Sequence, residues 1–232
     1  MSSAAAALRY WERRQEVASN NLANVSTDGF KGQKVFARMV EGALPAADET
    51  TDFSQGTLQT TNNPRDLALD GPGFLVVKTP NGERYSRGGS VQVNDAGDLT
   101  DSSGNQLLGE GGPIRVASRA NADVGAIQIA RDGTVTIDKA EVGRLRIETI
   151  PTKTTLQAEG SGLFIPPAAR TRINPDARIV RQGALEQSNV TPIGQMVDMI
   201  SIQRAYTAVQ KAVTTLDTVR EIATTELARP AN

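Results

Sequence analysis

The chain has 232 residues, with 25 Lys and Arg against 26 Asp and Glu, a formal net charge of −1, and neither His nor Cys. Those two absences remove Ser-His-Asp and Cys-His nucleophiles, thiol redox chemistry and nearly every zinc, haem or iron–sulfur site. A balanced charge with no run of one sign argues against nucleic acid or an anionic membrane as partner, and an aromatic content of 4% predicts a core of Val, Ile, Leu and Ala with no deep ligand pocket and no cofactor.

The first element is an amphipathic helix from about Ser3 to about Val25. Ala4, Leu8, Trp11, Gln15, Ala18, Leu22 and Val25 recur at steps of three and four, and Arg9, Glu12, Arg13 and Glu16 carry the opposite face. Charges interrupt the apolar residues here, so the segment is not expected to act as a cleaved secretory signal. No stretch is long and apolar enough for membrane insertion. Ser26-Thr27-Asp28-Gly29 ends the helix, with Gly29 at positive φ.

Residues 30–65 read as an extended connector, mixing Lys31, Lys34 and Arg38 with the acidic, Thr-rich run Asp48 to Asp52. One hairpin is expected there, turning at Ser54-Gln55-Gly56. So long a connector suits packing on neighbouring subunits better than a compact loop.

From 66 to 185 the pattern is strand, turn, strand. Leu67 and Leu69 alternate, as do Val91 and Val93, Ile127 and Ile129, Val135 and Ile137, and Leu145 and Ile147, while Phe74 to Val77 is a continuous apolar run. Asn81-Gly82, Asp95-Ala96-Gly97, Ser103-Gly104 and Asp132-Gly133 separate them with hairpin chemistry. The prediction is an antiparallel β domain. Gly109-Glu110-Gly111-Gly112 reads as a turn, since it lacks phosphate-loop and dinucleotide spacing. Asp95, Asp98 and Asp101 read as solvated hairpin acids, with no Glu to close a calcium loop. Asn24-Val25-Ser26 and Asn189-Val190-Thr191 match the glycan sequon but read as helix caps.

Residues 186–232 close the chain with a second helix. Thr191 is a good N-cap, Pro192 stands at the first helical position, and no further Pro occurs before Pro230. About 37 residues at 1.5 Å each make a rod of roughly 55 Å. Ile202, Ala205, Val209, Ala212, Leu216, Val219 and Ala223 follow the spacing of a coiled-coil seam, and a second stripe of Met196, Ile200, Tyr206 and Val213 widens the apolar face. Neither terminal stripe buries itself, so both are expected to be subunit interfaces. The fold class is α+β: long terminal helices paired in a coiled-coil-like layer (1–29 and 186–232), a connector, and a central all-β domain.

The run Ala18 to Lys31 contains Asn20-Asn21-Leu22-Ala23-Asn24, then Thr27, Gly29 and Phe30. It closely resembles the signature of bacterial flagellar rod and hook proteins, in which the N-terminal helix ends in Asn-Asn-Leu-Ala-Asn-x-x-Thr-x-Gly-Phe/Tyr. The resemblance continues in Asp66 to Phe74, in Tyr85-Ser86-Arg87-Gly88-Gly89, in Gly183 to Val190 and in Gln203-Arg204-Ala205-Tyr206. Within that family the compact middle is most similar to the proximal rod subtype, and Gln203 to Tyr206 to the distal one. The opening differs, with Met1 to Ala7 standing where the family carries a Ser-Gly pair.

The resemblance implies a structural subunit of the flagellar basal-body rod, not an enzyme. Its partners would be copies of itself and other rod and hook axial proteins, and it would be exported by the flagellar type III apparatus to a periplasmic rod without a cleaved signal. The assembled helices would wall an export channel and transmit torque. The competing class is a carboxylate-based cell-wall glycosidase, since 26 scattered acids allow a chance pair.

Overall fold

The computed structural model describes residues 2–38, 46–116, 127–150 and 156–227. They form two compact units, each built from separate stretches of chain: residues 1–23, 33–52 and 191–232 in one, and 24–32 with 53–190 in the other.

The first unit is helical. Helix α1 spans Ser2–Ala23 and α2 spans Pro192–Leu227, and the two pack against each other. Strands β1 (Gln33–Arg38) and β2 (Ala46–Thr51) pair antiparallel and lie on α1. Opposite charges match across this pair: Lys34 meets Asp52 at 2.7 Å and Arg38 meets Asp48 at 2.5 Å. The acidic run that read as connector is therefore one arm of a hairpin. The turn expected at Ser54-Gln55-Gly56 is not a hairpin turn, because β2 finds its partner upstream.

The second unit is made of strands. In chain order these are β3 (Leu58–Thr60), β4 (Asp66–Leu69), β5 (Phe74–Thr79), β6 (Gly82–Ser86), β7 (Gly88–Val93), β8 (Leu99–Asp101), β9 (Gln106–Gly109) and β10 (Gly112–Pro113). After them come β11 (Ile127–Ile129), β12 (Thr134–Ile137), β13 (Ala140–Arg144), β14 (Ile147–Thr149), β15 (Gln157–Gly160), β16 (Leu163–Ile165), β17 (Thr171–Arg172), β18 (Val180–Gln182) and β19 (Ala184–Glu186). Among the described residues every pairing is antiparallel, and the main sheet runs β15-β16-β6-β5-β9-β8-β7-β4-β18. Strand β3 pairs with β19, holding the two ends of the unit side by side.

Strand β5 explains why Phe74 to Val77 is apolar throughout. Side chains alternate faces along a strand. Leu75 and Val77 enter the larger core with Leu67, Leu99, Val135, Leu145 and Ile147, whereas Phe74 and Val76 enter a smaller one. That smaller core gathers Phe53, Phe74 and Phe164, three of the five Phe, with Tyr85 stacked on Phe74 at 5.2 Å.

Among the described residues most buried charge in this unit is paired, and Asp66 accepts from Thr61 and Asn63. Tyr85 donates to Glu148 at 2.7 Å, and Glu148 also takes Arg146 at 2.8 Å. Glu83 takes Arg146 and Arg170. Asp98, expected to be solvated, is 3% exposed and binds Arg115 and Gln106. A hairpin acid beside an Arg on the adjacent segment sinks inward because the ion pair offsets its desolvation.

These pairings set an acid limit. The Arg146 hydrogen bond holds the Glu83 carboxyl below its usual value, and the Thr134 hydroxyl does the same for Asp132. Burial acts to raise Asp98, but Arg115 and Gln106 outweigh it and leave it lowered. Depressed carboxyls stabilise the fold above their unfolded values of 4.5 and 3.8 and lose that stabilisation as pH falls through the folded values. Thermal melts followed by circular dichroism should therefore show a plateau near neutrality and a falling Tm below about pH 4.5. A Tm unchanged down to about pH 3 would contradict this assignment.

Candidate assembly surface

Helix α2 starts where Thr191 precedes Pro192, and the Gln195 N–H donates to the Thr191 carbonyl at 3.1 Å. Its Ser and Thr hydroxyls are satisfied within the helix. Ser201, Thr207, Thr214, Thr215, Thr218, Thr224 and Thr225 each donate to a carbonyl three or four residues back. Their polar atoms therefore make no demand on a neighbour that packs against the helix.

Helices α1 and α2 run antiparallel. Asn21 donates to Gln195 at 3.4 Å, the Tyr206 hydroxyl to Glu12 at 3.3 Å, and Leu8 lines a groove with Thr207, Val213 and Thr214. Numbers fall along one helix as they rise along the other. At 1.5 Å per residue, 36 residues of α2 outrun 22 of α1 by roughly 20 Å. Leu8 already lies level with the groove near Thr214, so α1 reaches little beyond Leu216.

That overhang divides the predicted interface. On α2, Ile202 is 2% exposed, and Ala205, Tyr206, Val209 and Val213 are half-buried. Ala212, Leu216, Val219 and Ala223 are exposed, as are Met196 and Ile200 at the other end of the helix. On α1, Ala18 is buried with Ala6 and Val17, while Leu8, Trp11 and Leu22 are half-buried. Val25 belongs to the strand unit, where it is half-buried. Periodicity missed three further exposed apolar residues of α2: Ile193, Val197 and Ile222. Ile193 lies one turn before Met196, Val197 one turn before Ile200, and Ile222 one turn after Val219. Their spacing of three from predicted members was the available signal.

The signature residues have distinct tasks. Asn20 and Ala23 are exposed, and Leu22 is half-buried. The buried Asn21 side chain donates to the Gln33 carbonyl at 2.8 Å and accepts the Gln33 N–H at 2.9 Å, which fastens β1 to the end of α1. In the strand unit, Thr27 folds back on Asn24 through backbone and side chain, and the Phe30 N–H donates to the Thr27 carbonyl. Gly29 takes φ +68°, and a Cβ there would meet the Arg87 Cβ at 3.1 Å.

A buried charge cluster beneath this turn was not legible as a site. One Glu186 carboxylate oxygen accepts Lys31 Nζ at 2.5 Å and the Gly56 N–H at 2.9 Å, and the other accepts Arg87 Nε at 2.8 Å. Lys31 also donates to the Ser54 carbonyl at 2.7 Å. Arg87 reaches the carbonyls of Leu69, Gly71 and Gly73. The Glu186 carbonyl accepts the Gly29 N–H at 2.6 Å. Asn189, expected to cap a helix, instead accepts the Gly32 N–H at 2.8 Å and donates to Ser54. Four motifs separated in the chain thus meet in one ion cluster: Lys31 and Arg87 at the Glu186 carboxylate, and the 69–73 carbonyls at the Arg87 guanidinium.

Apolar stripes stand exposed on the two-helix unit, and the buried acids Asp98, Glu148 and Glu186 are committed to structural pairing. Comparison with known proteins gives the family. Residues 1–31 match the family described as flagella basal body rod protein, 68–137 the flagellar hook protein FlgE/F/G D1 domain, and 181–226 the flagellar basal body rod FlgEFG protein C-terminal region. The chain is 32% identical over 215 residues to the flagellar basal-body rod protein FlgF of Caulobacter vibrioides, covering 86% of this chain and 85% of that protein. It is 34% identical over 229 residues to FlgF of Salmonella typhimurium, covering 88% of each. It is 30% identical over 241 residues to the rod protein FlgG of Buchnera aphidicola subsp. Schizaphis graminum, covering 87% of this chain and 89% of that one. The chain belongs to the flagellar basal-body rod protein family.

Proposed function

We propose that this chain is a proximal, FlgF-type structural subunit of the flagellar basal-body rod, without catalytic activity. It polymerises with copies of itself and with other rod and hook axial proteins, its terminal helices forming a coiled-coil-like layer, into a hollow shaft that transmits torque and encloses the export channel. It reaches the rod through the flagellar type III apparatus without a cleaved signal. No described helix is long and apolar enough to cross a membrane.

The observation that carries this reading is the far end of α2, where Leu216, Val219 and Ile222 stand more than half exposed as the helix leaves α1 behind. Such a stripe is costly in a solitary chain and useful in a polymer. The interface comprises the stripe members that the single chain leaves accessible, Met196, Ile200, Ala212, Leu216, Val219 and Ala223 on α2, with half-buried Leu8 and Trp11 on α1. The FlgF relatives at 32% and 34% identity favour the proximal type over FlgG at 30%. A distal rod or hook-type subunit is the second reading. Nothing in the comparisons supports the glycosidase alternative, and the buried acids Asp98, Glu148 and Glu186 are each held by Arg or Lys.

Deleting the chain from its host should abolish swimming, and isolated basal bodies should lack a continuous rod. Supplying it in trans should restore both. Normal swimming without the chain would overturn the reading.

A further inference from the structure

The Glu186 cluster gathers the points at which the strand unit's chain departs for the helical unit. Chain passes between the units after residues 23, 32, 52 and 190. Inside the strand unit, the segments that carry those exits are tied to one another. Lys31 and Gly56 share one Glu186 oxygen, Lys31 also holds Ser54, and Asn189 joins Gly32 to Ser54.

Stability alone is a weak reason for this arrangement. Removing three charges from water costs free energy that their attraction only partly offsets, and well-packed apolar replacements of such clusters are often neutral or stabilising. What apolar residues do not reproduce is direction. Glu186 accepts from three different segments at fixed angles, and Arg87 anchors it to the carbonyls of 69–73.

We infer that Glu186 is a positioning residue for assembly, a clasp that holds the exits of the strand unit together so that they take load as one. The inference rests on the reading of the chain as a rod subunit. The chain itself carries load into the strand unit at these four crossings, and loose exits would shear independently.

The test uses the full chain with two variants, Asn189→Ala and the double variant Lys31→Met with Glu186→Met. The double variant removes one charge of each sign and leaves Arg87 its backbone carbonyl acceptors, and Asn189→Ala leaves the ion cluster intact. Hydrogen exchange is read at Gly32 and Gly56 against the sheet amides of Leu67 and Val76, and motility is read in a strain carrying each variant in place of the native chain. The expected result is exchange faster by about tenfold at Gly32 in Asn189→Ala and at Gly56 in the double variant, unchanged exchange in the sheet, and impaired swimming. Unchanged exchange at both glycines would overturn the clasp, and so would full swimming despite opened exits. Full swimming in a strain lacking the chain altogether would instead overturn the rod reading, which keeps the two failures apart.

Discussion

Leu216→Glu is expected to abolish rod assembly while leaving the isolated chain as stable as before. Leu216 is 55% exposed at the point where α2 begins to run past α1, and surface substitutions of this kind usually change monomer stability by no more than about 0.5 kcal/mol. In the proposed polymer a neighbour would bury the same position. Each interface then loses about 1.5–3 kcal/mol of apolar burial and must desolvate a carboxylate with no assigned partner, at a further cost of a few kcal/mol. A combined loss of about 4 kcal/mol weakens each contact by roughly a thousandfold. Swimming and rod recovery in the variant strain, set beside the Tm of purified protein, measure both halves of the prediction. Val209→Asp should also block assembly, but Val209 is half-buried in the monomer, so its Tm should fall as well. Normal motility of Leu216→Glu would remove the overhang from the interface.

The second large effect is at Gly88. Gly88 lies on β7 opposite Ala68 of β4 at φ +130°, and a Cβ there would sit 2.2 Å from the Leu67 carbonyl oxygen and 3.1 Å from the Ala68 Cα. Both are backbone atoms of a buried strand and have no room to give. Gly88→Ala should separate β4 from β7 and cost more than about 4 kcal/mol, enough to unfold the strand unit of a marginally stable chain. Gly89 is the internal control. It has φ +131°, and a Cβ there would have nothing within 4 Å, so Gly89→Ala should suffer backbone strain alone, about 1–3 kcal/mol. Circular dichroism melts of the two variants decide the matter, and equal Tm values would show that the close approach is not limiting.

Much of the architecture is legible in local pattern. The start of α2 follows from Thr191-Pro192, and the hairpins from Gly97, Gly104 and Gly133, each at positive φ, whereas α1 ends at Ala23, two residues before the expected Val25. The terminal stripes are legible as apolar surfaces because helical period places their members on one face. Partner identity is not. The same 3–4 spacing runs through Ile202, which is buried, and Leu216, which stands open.

The candidate site shows the same division. Asn21 and Gly29 stand out as part of a motif within one short run, yet their work depends on Gln33 and Arg87 outside it. Lys31 and Glu186 lie 155 positions apart, and Glu186 sits among polar residues that look like an ordinary exposed turn. Asp98 likewise looks solvated until Arg115 is folded beside it.

Local periodicity, caps and turn residues thus set the helices, the hairpins and the family of this chain, because each arises from neighbours within a few positions. Which apolar face is covered, which is left for other subunits, and which charges are buried together depend on helix lengths and strand pairings. Those bring distant segments into contact, and burial and ion pairing act across space, where no spacing along the chain records them.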